Sequence, residues 1–343
     1  MKLGIIGLPQ SGKSTIFAAL TGARGDDNKI GVKKDNRIAS VKVFDERIDF
    51  LSSIYNPKKT TYASVEYLLP ADTGTGSENM IWNQARVCDA LIHVVRNFAD
   101  FSGADPRPEN DFRRLEDEMV LNDLVVVEKR IERIEADLKR GKKPDEEEHR
   151  LILACKELLE KGMPLRTDAE LAKSPILKGF TFLSAKPQLI IVNNDEDNET
   201  LPEWSSGLSN QGIQAVRGRL EMEIADMSVE DASEFLMEYN IKESALDRII
   251  RSSYEILNLI SFFTVGDDEV KAWTIKKETK ALEAAGEIHS DIQKGFIRAE
   301  VLSYDDLRKY GSYKEARNVG RVRLEGKEYA VQDGDIINFR FNV

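Results

Sequence analysis

A chain of 343 residues is too long for one small core and has the length of two or three ordinary domains. With 41% hydrophobic and 32% charged residues it reads as water-soluble, and no run approaches the roughly 18 uninterrupted apolar residues of a membrane-spanning helix, so no membrane segment is expected. The formal net charge of −11 argues against holding nucleic acid through overall charge, while leaving local patches open, and two cysteines, Cys88 and Cys155, in apolar helical patterns support neither a disulfide framework nor a metal site.

The start, Met1 to Gly7, runs straight into a buried-strand pattern and lacks the apolar stretch and cleavage site of a signal peptide, so a cytoplasmic location is expected. Lys2 to Ile6 predicts a strand ending at Gly7, and Lys13 to Thr21 carries Ile16, Phe17, Ala19 and Leu20 at helical spacing. Further strands are predicted at Arg37 to Val43, Ala63 to Leu69, Ala90 to Val95 and Gln188 to Val192, the last two as continuous apolar runs that suit a parallel sheet covered on both faces. With helices between them, the class is α/β.

From about Asp111 to Leu165 the chain is dense in charge, and Val120, Leu124, Val127, Ile131, Ile134 and Leu138 alternate steps of four and three, the period of a coiled-coil seam. Arg140-Gly141-Lys142-Lys143-Pro144 breaks that pattern and a second helix follows to Lys161, giving an inserted antiparallel helical hairpin. Asp231 to Leu259 is predicted as one amphipathic helical stretch. Short strands are then predicted at Val270 to Ile275, Gly295 to Leu302, Arg321 to Leu324, Tyr329 to Val331 and Ile336 to Phe341, with turns at Glu325-Gly326 and Asp333-Gly334-Asp335.

Gly7-Leu8-Pro9-Gln10-Ser11-Gly12-Lys13-Ser14 follows a strand and opens a helix, which is the context a phosphate-binding loop requires. Such a loop aims successive backbone N–H groups and the positive end of a helix at a triphosphate. Leu8, Pro9, Gln10, Ser11, Gly12, Lys13, Ser14 and Thr15 are therefore candidate nucleotide-binding residues, with Lys13 reaching the outer phosphates as the catalytic candidate and Ser14 as the magnesium ligand. Asn193, Asn194 and Glu196 follow a buried strand at the end where open α/β sheets bind ligands, and are the candidates for reading the base. A guanine-specific Asn-Lys-x-Asp pattern is not met there, since Asn194 and Glu196 stand in place of its lysine and aspartate.

These segments, with DALIHVVRNF at Asp89 to Phe98, VEKRIERI at Val127 to Ile134, KGMPLR at Lys161 to Arg166, VKAWTI at Val270 to Ile275, AAGEIH at Ala284 to His289, KGFIRAEVLSYDD at Lys294 to Asp306 and the run from Leu324 to Val343, resemble the YchF or Obg-like ATPase family across nearly the whole chain. The resemblance implies a P-loop NTPase domain at 1–110 and 166–261, an inserted hairpin at 111–165 and a C-terminal TGS domain of β-grasp type at 262–343. It also implies a nucleoside triphosphate ligand, ATP rather than strictly GTP, with Mg2+, and association with ribosomes. Neither a membrane nor specific DNA is expected as a partner.

The chain departs from the family where hydrolysis is organised. By alignment Leu69 stands where the family has its magnesium-side aspartate, and Lys33 and Lys34 fall where the first switch has its threonine; Asp72 is the nearest substitute carboxylate. Phosphoryl transfer depends on positioning, metal and charge stabilisation, so the expectation is nucleotide binding with slow or absent hydrolysis: a weak ATPase or GTPase acting as a switch on translation, or a non-hydrolysing binder. A partner-binding protein with a vestigial site is disfavoured by the retained Gly12, Lys13 and Ser14. Arg308, Lys309, Lys314, Arg317, Arg321 and Arg323 form a basic run opposed nearby by Glu315 alone, which reads equally as a solvated face or an RNA contact until the resemblance tips it toward ribosomal RNA. His93 reads as a core residue with a satisfied ring nitrogen, His289 as structural, and Trp82, Trp204 and Trp273 as packing residues.

Overall fold

The computed structural model describes residues 1–22, 36–71, 78–100, 102–208, 212–238 and 244–342. Lys33, Lys34 and Asp72 lie outside the described residues. In chain order the elements are β1 (Lys2–Ile6), α1 (Lys13–Thr21), β2 (Arg37–Lys42), α2 (Glu46–Tyr55), β3 (Lys59–Thr61), β4 (Ser64–Leu69), α3 (Glu78–Arg86), β5 (Ala90–Asn97), α4 (Pro108–Lys139), α5 (Glu146–Glu160), α6 (Ala169–Lys173), β6 (Gln188–Asn194), β7 (Gly212–Val216), α7 (Gly218–Ala225), α8 (Val229–Glu238) and α9 (Ala245–Ile256). There follow β8 (Leu259–Thr264), β9 (Glu269–Lys276), α10 (Ala281–Ile288), α11 (Ser290–Lys294), β10 (Phe296–Ser303), α12 (Tyr304–Tyr310), α13 (Tyr313–Asn318), β11 (Arg323–Glu325) and β12 (Asp335–Phe341). They divide into two compact units, Met1–Ala39 with Glu66–Ser252 and Ser40–Val65 with Ser253–Val343.

The first unit is built on a sheet of order β2-β4-β1-β5-β6-β7, in which β1 runs parallel to β4 and β5, and β6 runs parallel to β5 and β7. Every residue of β6 and the first six of β5 are buried, as continuous apolar runs require when helices cover both faces. The order turns outward in both directions from β1 and β5, and ligands of such sheets bind beyond the carboxyl ends of the strands at that reversal.

The inserted hairpin is α4 and α5. At about 1.5 Å rise per residue, the 32 residues of α4 extend roughly 48 Å. Of the predicted seam, Val120, Val127 and Ile134 are buried and Leu124 and Ile131 half-buried, but Leu138 is exposed, so the seam ends one turn early. Gly141 turns the chain at φ 80°, and the Asp145 carboxylate then caps α5 by accepting from the Glu148 N–H at 3.0 Å. At its base the hairpin is fastened by two buried carboxylates. Asp123 accepts from the Leu183 and Ser184 N–H groups at 3.0 and 2.7 Å and from Arg86 at 3.0 Å; Glu116 accepts from Arg166 and Gln188, both at 2.8 Å. Burial pushes both carboxyls above their ordinary pKa, and these donors oppose it. His93, as expected, is a core residue: it is 1% exposed, stacks on Phe112 and shares a 3.1 Å hydrogen bond with Gln188, and desolvation followed by Arg166 and Lys13 lowers it to about 3.

The helix predicted over Asp231 to Leu259 is two helices, α8 and α9. The second stops at Ile256 because Asn258 turns into the left-handed region at φ 55°, and the apolar residues from Leu259 onward go into β8 instead.

The second unit is a mixed sheet of order β11-β10-β12-β8-β9-β3, with β10 antiparallel to β11 and β12, β8 antiparallel to β9, and β12 parallel to β8. α10 lays Ala281, Ala284 and Ala285 against Phe262, Ile275, Phe296 and Ile337, the helix-on-sheet core of a β-grasp domain. Residues 40–65, counted with the nucleotide domain in the sequence reading, belong to this unit: β3 pairs parallel with β9, and Ile48 and Leu51 join a core with Phe263, Val270 and Ile336. Arg47 pins α2 there, pairing with Asp333 at 2.7 Å and lying over the Phe263 ring. The strand predicted at Tyr329 to Val331 makes only an isolated bridge between Ala330 and Lys280, and the one predicted from Arg321 begins at Arg323.

Candidate functional site

The loop between β1 and α1 is shaped by contacts only glycine permits. A Cβ on Gly7 would lie 2.5 Å from the Val94 carbonyl oxygen of β5 and 2.6 Å from Ser11 Oγ. Gly12 takes φ 90°, ψ 15°, and a Cβ there would collide with the Asn193 amide. α1 then starts without a side-chain cap and with no acidic residue in its first turn, so the partial positive charge of its N–H groups is directed at the loop without a competing carboxylate. Leu8 and Thr15 are half-buried and Pro9, Gln10 and Ser14 exposed, while the Ser11 hydroxyl is buried inside the loop without a hydrogen-bond partner. An orphaned buried donor in a ring of backbone is what a cradle for an oxyanion looks like before the oxyanion enters. The Lys13 ammonium folds over the loop, donating to the Gly7 and Leu8 carbonyls at 2.8 and 2.7 Å.

The three candidates after β6 do different things. Asn193 is buried and staples the loop to the next βα turn: its Nδ2 donates to the Ser11 carbonyl at 3.1 Å and its Oδ1 accepts from the Gly218 N–H at 3.0 Å. Asn194, also buried, donates to the Asn198 and Thr200 carbonyls and accepts from Asn97 at 2.8 Å, shaping the turn that follows the strand. Glu196 is exposed at the rim and pairs with Arg219 at 3.0 Å. Two residues that sequence reasoning missed join the site. Gly218 donates its N–H to the Asn193 Oδ1 where a side chain would collide with Asn193, and Arg37 of β2 donates from Nη2 to the Ser14 hydroxyl at 2.9 Å while its guanidinium lies 5.0 Å from the Phe17 ring centroid. Arg37 opens its strand, so its side chain carried no periodic signal, and its partner lies 23 positions earlier.

The donors among the described residues do not fit a resident magnesium ion. Mg2+ requires near-octahedral oxygen coordination and in P-loop proteins takes a loop hydroxyl together with a carboxylate. Here the hydroxyl accepts from Arg37, and β4, whose end lies beside the loop, finishes in the buried side chains of Leu69 and Ala71 around Pro70. Among the described residues no group of three His, Cys, Asp or Glu side chains stands close enough to hold a metal.

The exposed histidine and the basic run are local features. His289 caps α11, its Nδ1 accepting from the Asp291 N–H at 3.2 Å, a structural role. In the second unit Arg321 lies 3.9 Å from Asp306, and Arg323 lies 3.2 Å from Glu325 and 3.5 Å from Asp335, carboxylates that the linear reading did not set against the run. The exposed cations Arg308, Lys309, Lys314 and Arg317 are what remains of the patch.

Sheet order, loop and staple define a protein of the P-loop NTPase fold carrying a helical hairpin and a β-grasp unit. A family model for the C-terminal region of YchF GTPases, described as a protein of unknown function (DUF933), matches residues 259–342. The ribosome-binding ATPase YchF of Bacillus subtilis is 38% identical and covers 99% of both chains, and that of Mycoplasma genitalium is 36% identical over the whole of both. The solved structure of the Schizosaccharomyces pombe YchF GTPase superposes with a TM-score of 0.85 at 31% identity, covering 99% of this chain and 97% of the other. A GTP-binding protein from Pyrococcus horikoshii shares the fold at a TM-score of 0.61 and 17% identity. The chain belongs to the YchF family.

Proposed function

We propose that the chain binds a nucleoside triphosphate, ATP in preference to GTP, hydrolyses it slowly, and acts as a switch protein on ribosomes. The observation that carries the reading is the loop itself: a glycine-lined ring of backbone with an orphaned buried hydroxyl, a lysine folded across it and a helix N-terminus behind it. The names of the relatives, ribosome-binding ATPases, agree with it. Lys13 and the loop N–H groups hold the outer phosphates; Asn193 keeps the loop rigid from behind; Glu196, at the rim, is the side chain best placed to meet the base. A second reading, binding without hydrolysis, is favoured by Leu69, which offers no carboxylate beside the loop. The exposed Arg308, Lys309, Lys314 and Arg317 give the second unit a cationic face suited to RNA phosphates.

Calorimetric titration with ATP and GTP tests the reading. Saturable ATP binding that weakens about a hundredfold in Lys13→Ala is the expected result, and equal binding by both proteins would refute it.

A further inference from the structure

The Ser14 hydroxyl is exposed at the mouth of the loop, on the first turn of α1, and the cation beside it is a side chain. Arg37 Nη2 donates to Ser14 Oγ at 2.9 Å, and its guanidinium carbon lies over the Phe17 ring, 5.0 Å from the centroid. A guanidinium has five N–H donors and stays protonated in proteins, so one bond to Ser14 leaves others for a second acceptor. The strands flanking β1 end without a carboxylate, β4 in Leu69 and β5 in Arg96-Asn97. Among the described residues the positive groups about the loop are thus Lys13, the N-terminus of α1 and Arg37, with the buried Ser11 hydroxyl as a further unused donor.

Resting on the nucleotide-binding reading, we propose that Arg37 supplies the positive charge beside Ser14 that a divalent cation supplies in other phosphate-binding loops, so that this chain holds a nucleoside triphosphate without requiring a metal ion. A planar fork suits two oxygens of one phosphate or of neighbouring phosphates, where a hydrated ion would need several protein or water oxygens. The same substitution accounts for weak turnover, because a guanidinium stabilises charge but does not organise six ligands about the reacting phosphate.

The test is titration of the full chain with ATP in two buffers, excess magnesium chloride and excess EDTA. Wild-type affinities in the two should agree within about threefold, a difference of well under the 1.4 kcal/mol that corresponds to tenfold. Arg37→Ala and Arg37→Gln should lose about tenfold or more in EDTA, as expected for a hydrogen bond to a charged group, and less in magnesium, where the ion can take the released hydroxyl. Arg37→Lys should recover part of the EDTA loss, which a purely structural role for Arg37 would not produce. Wild-type binding that falls by about a hundredfold in EDTA, or Arg37 variants that match wild type there, would overturn the inference while leaving nucleotide binding intact. Absence of wild-type binding in both buffers would instead refute the nucleotide reading, and this inference with it.

Discussion

β1 and β4 are parallel neighbours in one sheet and end side by side, yet the two ends have been treated differently. β1 runs into a loop in which Gly7, Gly12, Ser11, Lys13 and, from behind, Asn193 are all committed to one shape. β4 runs into Leu69 and Ala71, both buried, with the Ala71 N–H donated at 3.0 Å to the Asn36 side chain, so that among the described residues its end is packed and offers no charged group. Gripping a polyphosphate and breaking it are separable tasks: the first needs donors and positive potential, the second needs groups that act on the transition state. This chain retains the apparatus of the first.

The largest expected effect lies at the β1 end. Lys13→Ala should weaken ATP binding about a hundredfold, roughly 2.7 kcal/mol, as truncating one partner of a desolvated charge pair does; a calorimetric change under threefold would break the comparison at its stronger side. Leu69→Asp addresses the other end. A carboxylate there, 4% exposed and without a partner, should cost about 2 kcal/mol in denaturant unfolding, yet raise magnesium-stimulated phosphate release about tenfold. If release stays unchanged, the apolar strand end is not what limits turnover.

A third prediction concerns the scaffold beneath both ends. His93 is held neutral, its pKa lowered to about 3 by desolvation first and then by Arg166 and Lys13. A depressed folded-state pKa means that the unfolded chain binds the proton first. Stability is therefore full above the usual histidine pKa of about 6.5 and falls by up to about 1.4 kcal/mol per pH unit below it, toward the folded value. Urea midpoints from pH 7 to 4 should show this loss, and His93→Gln should show less of it than wild type; parallel curves would assign the acid sensitivity elsewhere. The smallest effect belongs to the cationic face. Lys314→Glu with Arg317→Glu should weaken binding to ribosomes in co-sedimentation about threefold at low salt and less at higher salt, through lost phosphate contacts. An unaltered pellet removes that face from consideration.

What could be read from the sequence was what repeats locally. The strands β1, β5 and β6 are continuous apolar runs, and the loop is a fixed spacing of residue types, so both were legible without contacts. β3 was not, because three half-polar residues carry no period and become a strand only by pairing with β9. The overlong helix prediction failed at Asn258, where one left-handed residue ends α9 and the same apolar character continues into a strand. In the site, Asn193 was expected to read the base, whereas its inward role as a staple depends on Ser11 and Gly218, remote in sequence. Arg37 and its hold on Ser14 had no sequence signal at all.

The central claim, that the chain grips a triphosphate but turns it over poorly, is tested most directly by a single-turnover experiment with labelled ATP and excess protein, following bound nucleotide and released phosphate together, with and without ribosomes. Rapid, Lys13-dependent binding should be followed by release slower than roughly 10⁻² s⁻¹, the order seen for switch-type NTPases with an arginine in cis. Release near 10 s⁻¹, the middle of the range for ordinary enzymes, would contradict it, as would labelled ATP that never binds.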